Sequence, residues 1–501
     1  MFVVTRAFVR TEIKLTHVSA MLNILAHRTI NLLGRDIITV RKYWITRRIH
    51  ERAWRKTRMG DEPPLSRVDP VVTKLDSPEF LSVFTPELQK LASLFKKYNY
   101  ELRIAGGAVR DILMGKQPKD LDFATDATPQ QMKDMFTSEE IRMINEKGEK
   151  HGTITARIND SENFEITTLR IDILTDGRHA QVEFTKDWKL DANRRDLTIN
   201  SMFLDLDGKV YDYFYGYDDL KKKRIVFVGK ASVRIQEDYL RILRYFRFYG
   251  RIMDSPDQHD EATITALKEN ISGLEQISGE RIWSEWNKIL SGTFALELTL
   301  KLLECGSSRY IGLPKEPNVE NFRKVYERAR SNNVTLKPIS LIISMLKDEY
   351  EVIKLHERLK LSNSDRDLAI FLIQHRECKP CEKPLRSYQR LVLLQQIKRY
   401  DILLEDVKEL LRYRGAIQLL DEFEQWVIPK FPINGSMLIK HVPMNKMIGN
   451  VLIELKRIWI DADFKLTDEQ LMEHVPSIVS ELEEQYKILG KEKNKKFKKM
   501  K

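Results

Sequence analysis

From about Pro78 to Gly250 the chain is built of short apolar runs and alternating apolar and polar positions; beyond Gly250 the strand signal disappears and long helical patterns take over. Leu88, Leu91 and Leu94 follow Thr85-Pro86-Glu87. That spacing predicts an amphipathic helix with Thr85 as its cap and Pro86 at its first position. Leu102–Ala105 reads as a short strand, broken by Gly106 and Gly107 and resumed as a helix carrying Arg110. A strand bearing Asp120 and Asp122 is predicted next, then a helix near 129–136. Strand-like runs follow at 152–158, 164–170 and 180–184. Ser278-Gly279-Glu280 reads as a capped helix start, with a Trp/Ile/Leu face running to Leu290. These elements predict an α/β head around a small mixed sheet, followed by an all-α remainder.

Composition adds limits. At 501 residues the chain has room for several cores, and 42% hydrophobic with 31% charged residues describes a globular protein. No apolar run approaches the length of a membrane span, so no membrane partner is expected. The net charge of +11 sits at the ends. Residues 1–58 carry thirteen basic and three acidic side chains, and Lys491–Lys501 carries seven lysines and one glutamate. The middle is therefore acidic, and net charge says little about a nucleic-acid-binding core. The Arg-rich start reads as a mitochondrial transit segment, and Gly60-Asp61-Glu62-Pro63-Pro64 as a linker. A second translation start at Met59 would give a nuclear or cytoplasmic form. The lysine tail reads equally as a solvated end or as a basic localisation or RNA-contact patch. Three cysteines exclude a disulfide framework; Cys378 and Cys381 have C-x-x-C spacing but no second pair to complete a zinc site.

The chemistry concentrates in three clusters. Two residues apart on a strand, Asp120 and Asp122 would share a face, and adjacent carboxylates repel unless a hard cation such as Mg²⁺ lies between them. Gly106 and Gly107 let backbone N–H groups approach a phosphate, so the first cluster points to a metal–nucleotide site. In the second, Arg194, Arg195, Asp196 and Asn200 can donate to triphosphate oxygens and accept from a ribose hydroxyl. The third is Glu237-Asp238 with Arg241, Arg244 and Arg247, expected on one helix with Asp238 and Arg241 as neighbours. One reading of it is an intrahelical salt bridge. The other is base selection. A carboxylate accepts from the exocyclic amine shared by cytosine and adenine, and repels the carbonyl oxygen that guanine and uracil place there.

Taken in order, these motifs resemble the class II CCA-adding tRNA nucleotidyltransferases of the polymerase β superfamily. The resemblance runs from about Leu102 to Leu290 and includes R-R-D-x-T-x-N at Arg194–Asn200 and E-D-x-x-R-x-x-R at Glu237–Arg244. It also includes D-x-x-x-G-x-x-D-L at Asp212–Leu220, which makes Gly216 a predicted pivot, and a fifth motif over 273–290. It implies a polymerase β-like head and a division into 1–77 (targeting segment and linker), 78–215 (head), 216–290 (neck), 291–400 (body) and 401–501 (tail). It implies addition of CCA to the 3′ end of tRNA from CTP and ATP without a nucleic-acid template. Asp120 and Asp122 would hold Mg²⁺, and Glu165 would be a third carboxylate beside it. Gly106, Gly107 and Arg110 would hold the triphosphate, with Arg195 and Asp196 reading the ribose. Asp238, Arg241, Arg244 and Arg247 would face the base, and Asp176–His179 would form a loop acting in the change from C to A. Poly(A) polymerase or partial-CCA activity is the near alternative, a tRNA-binding protein without catalysis the remote one. None of these motifs sets an oligomeric state.

Overall fold

The computed structural model describes residues 64–486 apart from 145, 176–179, 378–382 and 395–399. The transit-segment, Met59, Asp176–His179, C-x-x-C and lysine-tail expectations lie outside the described residues. Two compact units are present: one runs to Lys222 and adds Val226–Arg234, and the other comprises Lys223–Ile225 and the chain from Ile235. The first unit therefore takes in Gly216–Lys221, which the sequence division assigns to the neck.

The first unit is built on β1 (Val71–Lys74), β2 (Leu102–Ala105), β3 (Asp122–Thr125), β4 (Arg142–Ile144), β5 (Thr153–Ile158), β6 (Glu162–Thr168), β7 (Arg170–Thr175), β8 (Ala180–Phe184), β9 (Phe203–Asp205) and β10 (Lys209–Tyr211). Eight of these form one sheet in the order β1-β10-β9-β2-β3-β6-β5-β4, and β7 and β8 make a separate hairpin. The sheet is mixed: β3 and β6 run parallel, and the other neighbours are antiparallel. The single run expected at 164–170 is two strands, with buried Leu169 between them.

Alternation decides which face each side chain takes. Phe164 and Ile166 are buried and Glu165 between them is exposed; Phe123 is buried and Asp122 before it is exposed. Phe123 and Phe164 meet edge-to-face at 5.8 Å, a pairing that contributes about 0.5–1.5 kcal/mol beyond burial. Helix Pro86–Lys97 buries Leu88, Leu91 and Leu94, and the Thr85 hydroxyl accepts from the Leu88 N–H at 3.1 Å. Helix Pro129–Ser138 buries Met132, Met135 and Phe136 behind a capping box at Thr128 and Gln131.

Gly216 has a packing role. A Cβ there would lie 2.1 Å from the Thr198 carbonyl oxygen, and the buried Asp212 carboxylate accepts from the Gly216 and Tyr217 N–H groups at 3.0 Å each. A tight backbone crossing thus lies at the expected pivot. Gly216→Ala should destabilise the protein by about 1–3 kcal/mol, read as a lower urea midpoint; an unchanged midpoint would deprive the crossing of energetic weight.

Among the described residues, the regular elements of the second unit are all helices. Its core includes fully buried Tyr245, Phe246 and Tyr249 from helix Arg241–Ile252 and Trp286 from helix Gly279–Leu290. Towards the C-terminus, Leu438, Val451, Leu455 and Trp459 belong to a separate apolar cluster. Ser278 stands at the expected start of helix Gly279–Leu290, but no side-chain cap bond forms there. No helix among the described residues is long and apolar enough to cross a membrane.

Candidate active site

In the first unit β2 is buried along its length and ends at Gly106, whose φ of +66° is a conformation that glycine adopts at little cost. The Gly106 N–H donates to the Met202 carbonyl at 3.1 Å, and helix Gly107–Leu113 starts at once. A Cβ at position 106 would stand 3.0 Å from Arg195 Nη1, so the missing side chain makes space for that guanidinium.

Asp122 opens β3, while Asp120 lies two residues before it in the preceding bend. The expectation that both belong to the strand is corrected, because regular pairing begins at Asp122. The register sets Asp122 directly beside Glu165 of parallel β6. Neighbours in register share a face, so the two carboxylates crowd one another on the open side of the sheet. The Asp122 carboxyl is held above the ordinary aspartate range. Desolvation by surrounding protein atoms contributes most, then the Glu165 charge; Arg195 pulls the other way and Asp120 adds to the rise.

No group of three or more His, Cys, Asp or Glu among the described residues forms a metal cage. The donor set still suits a divalent cation of the nucleotidyltransferase kind. Mg²⁺ takes one or two protein carboxylates and completes its octahedron with water and substrate phosphates, and repulsion among Asp120, Asp122 and Glu165 is what such a cation relieves.

The arginine cluster begins with helix Trp188–Asn193, capped by Asp187, whose carboxylate accepts from the Lys189 and Leu190 N–H groups at 2.8 and 3.3 Å. Arg194 and Arg195 follow at three and four residues from buried Asp191, the spacing that places side chains on one helix face. Arg194 Nε donates to Asp191 Oδ1 at 2.8 Å; Arg195 donates Nε and Nη2 to Oδ2 at 3.1 and 3.0 Å. Burial alone would push the Asp191 carboxyl up, but Arg194, Arg195 and the Arg170 N–H outweigh it and hold it below the ordinary range. Arg170 completes a crowd of positive charge: burial, then repulsion from Arg194, brings its guanidinium down to about 10.

Asp196 and Asn200 are both buried, and Asn200 Nδ2 donates to Asp196 Oδ1 at 3.4 Å. Arg110 is buried as well. Its Nη1 donates to the Asn200 side-chain oxygen, and Nε and Nη2 donate to Asp111 Oδ1 at 3.1 and 2.9 Å. In this arrangement Arg110 braces Asn200. The Thr198 hydroxyl donates to Asp219 at 2.7 Å, tying the R-R-D-x-T-x-N stretch to the Gly216 crossing.

The second unit holds the third cluster. Asp238 is not on a helix: one helix ends at Glu237, and the next begins at Arg241. The expected single helix is broken, and Asp238 occupies the break, where its Oδ1 accepts from the Leu240 N–H at 3.1 Å. Its Oδ2 accepts from Arg281 Nη2 at 2.8 Å, while Arg241 Nη1 donates to Glu237 at 2.6 Å. Arg247 Nη1 donates to both oxygens of buried Glu285 at 3.1 and 3.2 Å, and Arg244 and Arg247 both lie over the Phe248 ring, at 5.3 and 4.9 Å.

Asp191, Arg281 and Glu285 were missed by sequence reasoning. Asp191 carried a signal, its distance from the two arginines; Arg281 and Glu285 come from a helix some forty residues downstream and carried none.

Comparison with known proteins now decides the family. The profile of the "Poly A polymerase head domain" matches residues 102–226, and that of the "Probable RNA and SrmB- binding site of polymerase A" matches 259–312. Over 407 residues the chain is 50% identical to the mitochondrial CCA tRNA nucleotidyltransferase 1 of Mus musculus, covering 80% of this chain and 92% of that protein. The chain belongs to the CCA tRNA nucleotidyltransferases. The Homo sapiens CCA tRNA nucleotidyltransferase of the same name is also 50% identical, with the same coverage. The Bacillus stearothermophilus CCA-adding enzyme, solved in complex with CTP, shares the fold at a TM-score of 0.62 and 24% identity, covering 82% of this chain and 99% of that one. The polymerase β-like head followed by helices is thus the fold of CCA-adding enzymes.

Proposed function

We infer that this CCA tRNA nucleotidyltransferase adds CCA to the 3′ end of tRNA from CTP and ATP by nucleotidyl transfer. The observation that carries the reading is the exposed Asp122–Glu165 pair in register beside Asp120, with Arg195 close enough to act on Asp122. The RNA 3′-hydroxyl loses its proton and bonds to the α-phosphorus of the incoming nucleotide, and the bond to the β-phosphate oxygen breaks to release pyrophosphate. Asp120 and Asp122 would hold a divalent cation, Mg²⁺ by donor type, which when bound favours the deprotonated hydroxyl and shields the departing charge. Glu165 adds negative charge beside that pair. Gly106 and Gly107 give the triphosphate access to the backbone. Arg194 and Arg195 supply positive charge to its oxygens, and Arg195 with Asp196 contacts the ribose hydroxyl. Arg110, expected to hold the triphosphate, is buried with its guanidinium given to Asn200 and Asp111, so its part is to keep Asn200 in place. Asp238 and Arg241 select the base by its hydrogen-bonding edge, without a template strand, with Arg244 and Arg247 as further donors towards the nucleotide. The helical unit recognises the tRNA by shape and phosphates.

The Mus musculus and Homo sapiens relatives are mitochondrial by name. The Arg-rich start would direct this chain there too, with a start at Met59 supplying a form without it; peptides beginning near Met59 in cytosolic protein would test that route. The activity itself is tested by incubating a tRNA lacking its 3′ end with CTP and ATP and sequencing the product. One complete CCA is expected. A run of A from ATP, or a product ending at CC, would replace this reading with poly(A) or partial addition.

A further inference from the structure

We propose that Asp191 is a positioning residue for nucleotide binding: its single buried carboxylate aims both Arg194 and Arg195, and through Arg195 sets the preference for ribonucleotides. The proposal rests on the reading of Arg195 and Asp196 as ribose contacts. Asp191 receives four donors. Oδ1 accepts from the Arg170 backbone N–H at 3.2 Å and from Arg194 Nε at 2.8 Å; Oδ2 accepts Nε and Nη2 of Arg195 at 3.1 and 3.0 Å. A two-point grip on one edge of a planar guanidinium sets its orientation as well as its place.

Arg195 is bounded on its other sides too. Its Nη1 lies 3.4 Å from the Asn200 carbonyl oxygen and 3.0 Å from where a Gly106 Cβ would stand, and its Cζ is 4.8 Å from the Phe203 ring centroid. Arg194 Nη1 lies 4.0 Å from Asp172 of β7. A side chain held this way loses less rotamer freedom when a ligand binds. One buried carboxylate needs one cation for its own compensation. Here it holds two, and Asp172 lies 3.8 Å from Arg170 and 4.0 Å from Arg194, so among these five side chains three guanidiniums face two carboxylates and one positive charge is left over, suited to an anionic ligand.

Asp191→Asn separates positioning from mere support of the fold. The amide oxygen still accepts from Arg170 and Arg194, while the amide nitrogen is a donor and cannot receive the Arg195 edge. Full-length Asp191→Asn and Asp191→Ser are assayed with a tRNA transcript lacking its 3′ end, using CTP and dCTP, after circular dichroism has verified folding. The expected result is a fall of at least about tenfold in the ratio of kcat/KM for CTP to that for dCTP, with KM for CTP rising more than kcat falls. Unchanged preference in either folded variant, or failure of both to fold, overturns the positioning role. Arg195→Ala runs alongside and is expected to lose the same preference; if it does not, the ribose-contact reading itself is wrong.

Discussion

Asp120→Ala and Asp122→Ala should each abolish addition of both nucleotides, by at least about 1,000-fold in kcat, with the fold intact. The magnitude is the scale of removing one preorganised electrostatic stabiliser from a transferring phosphoryl group. The expectation of an intact fold rests, for Asp120, on its exposed place in a bend and, for Asp122, on its titration. Its carboxyl lies above the ordinary range because desolvation and then Glu165 disfavour its charge. A raised value in the folded state means that the stability linked to this group is present below the ordinary aspartate pKa and lost as pH rises through the raised one. At neutral pH the ionised side chain therefore gives the fold no support, and removing it should leave the thermal midpoint unchanged or higher. Incorporation of labelled CTP and a melting curve measure the two halves. Substantial addition by either variant would remove the metal-holding role. A large fall in the midpoint would mean that these carboxylates support structure.

Legibility in the sequence followed the range of each interaction. Helix Pro86–Lys97 was readable because its cap and apolar spacing are local, and Thr85, Leu88, Leu91 and Leu94 do what that spacing predicts. The same holds for β5 and β8, which fall within the expected runs. The three-residue strands β4, β9 and β10 are too short to carry a periodic signal, and only their pairing into the sheet defines them. Glu165 was expected beside Asp120 and Asp122 only through the family resemblance; the residue pattern alone could not place it there, since the adjacency depends on the register of two strands some forty residues apart. The break at Asp238 escaped for a related reason. Glu237 to Arg247 is spaced like a helix, yet an Asp that accepts from the N–H two residues on offers the backbone an alternative to helix. Gly216 was expected as a pivot through the family resemblance alone; its crossing with Thr198 is a contact between segments eighteen residues apart that no local pattern announces.

Asp238→Asn is expected to weaken base choice while addition continues. In the break between helices the Asp238 carboxylate accepts from Leu240 N–H and Arg281, at 3.1 and 2.8 Å. A carboxylate has about four acceptor positions, so these two bonds leave capacity for the exocyclic amine of cytosine or adenine. The Asn variant keeps an oxygen for the Leu240 N–H, so the turn before Arg241 survives. Asp238→Ala would lose that bond, at a cost of about 1 kcal/mol by analogy with a helix cap, and would confound folding with selectivity. The amide of the Asn variant also carries a donor, which accommodates the carbonyl oxygen of uracil or guanine that a carboxylate repels. A good bidentate base contact discriminates by about 1–3 kcal/mol, so the kcat/KM ratio of CTP to UTP should drop by roughly 5- to 150-fold. Arg241→Ala should instead reduce use of CTP and ATP alike, since it removes the donor common to both. Selectivity within twofold of the parent in Asp238→Asn would sink the idea that amino-acid side chains act as the template. Arg281 would then hold Asp238 for structural reasons alone.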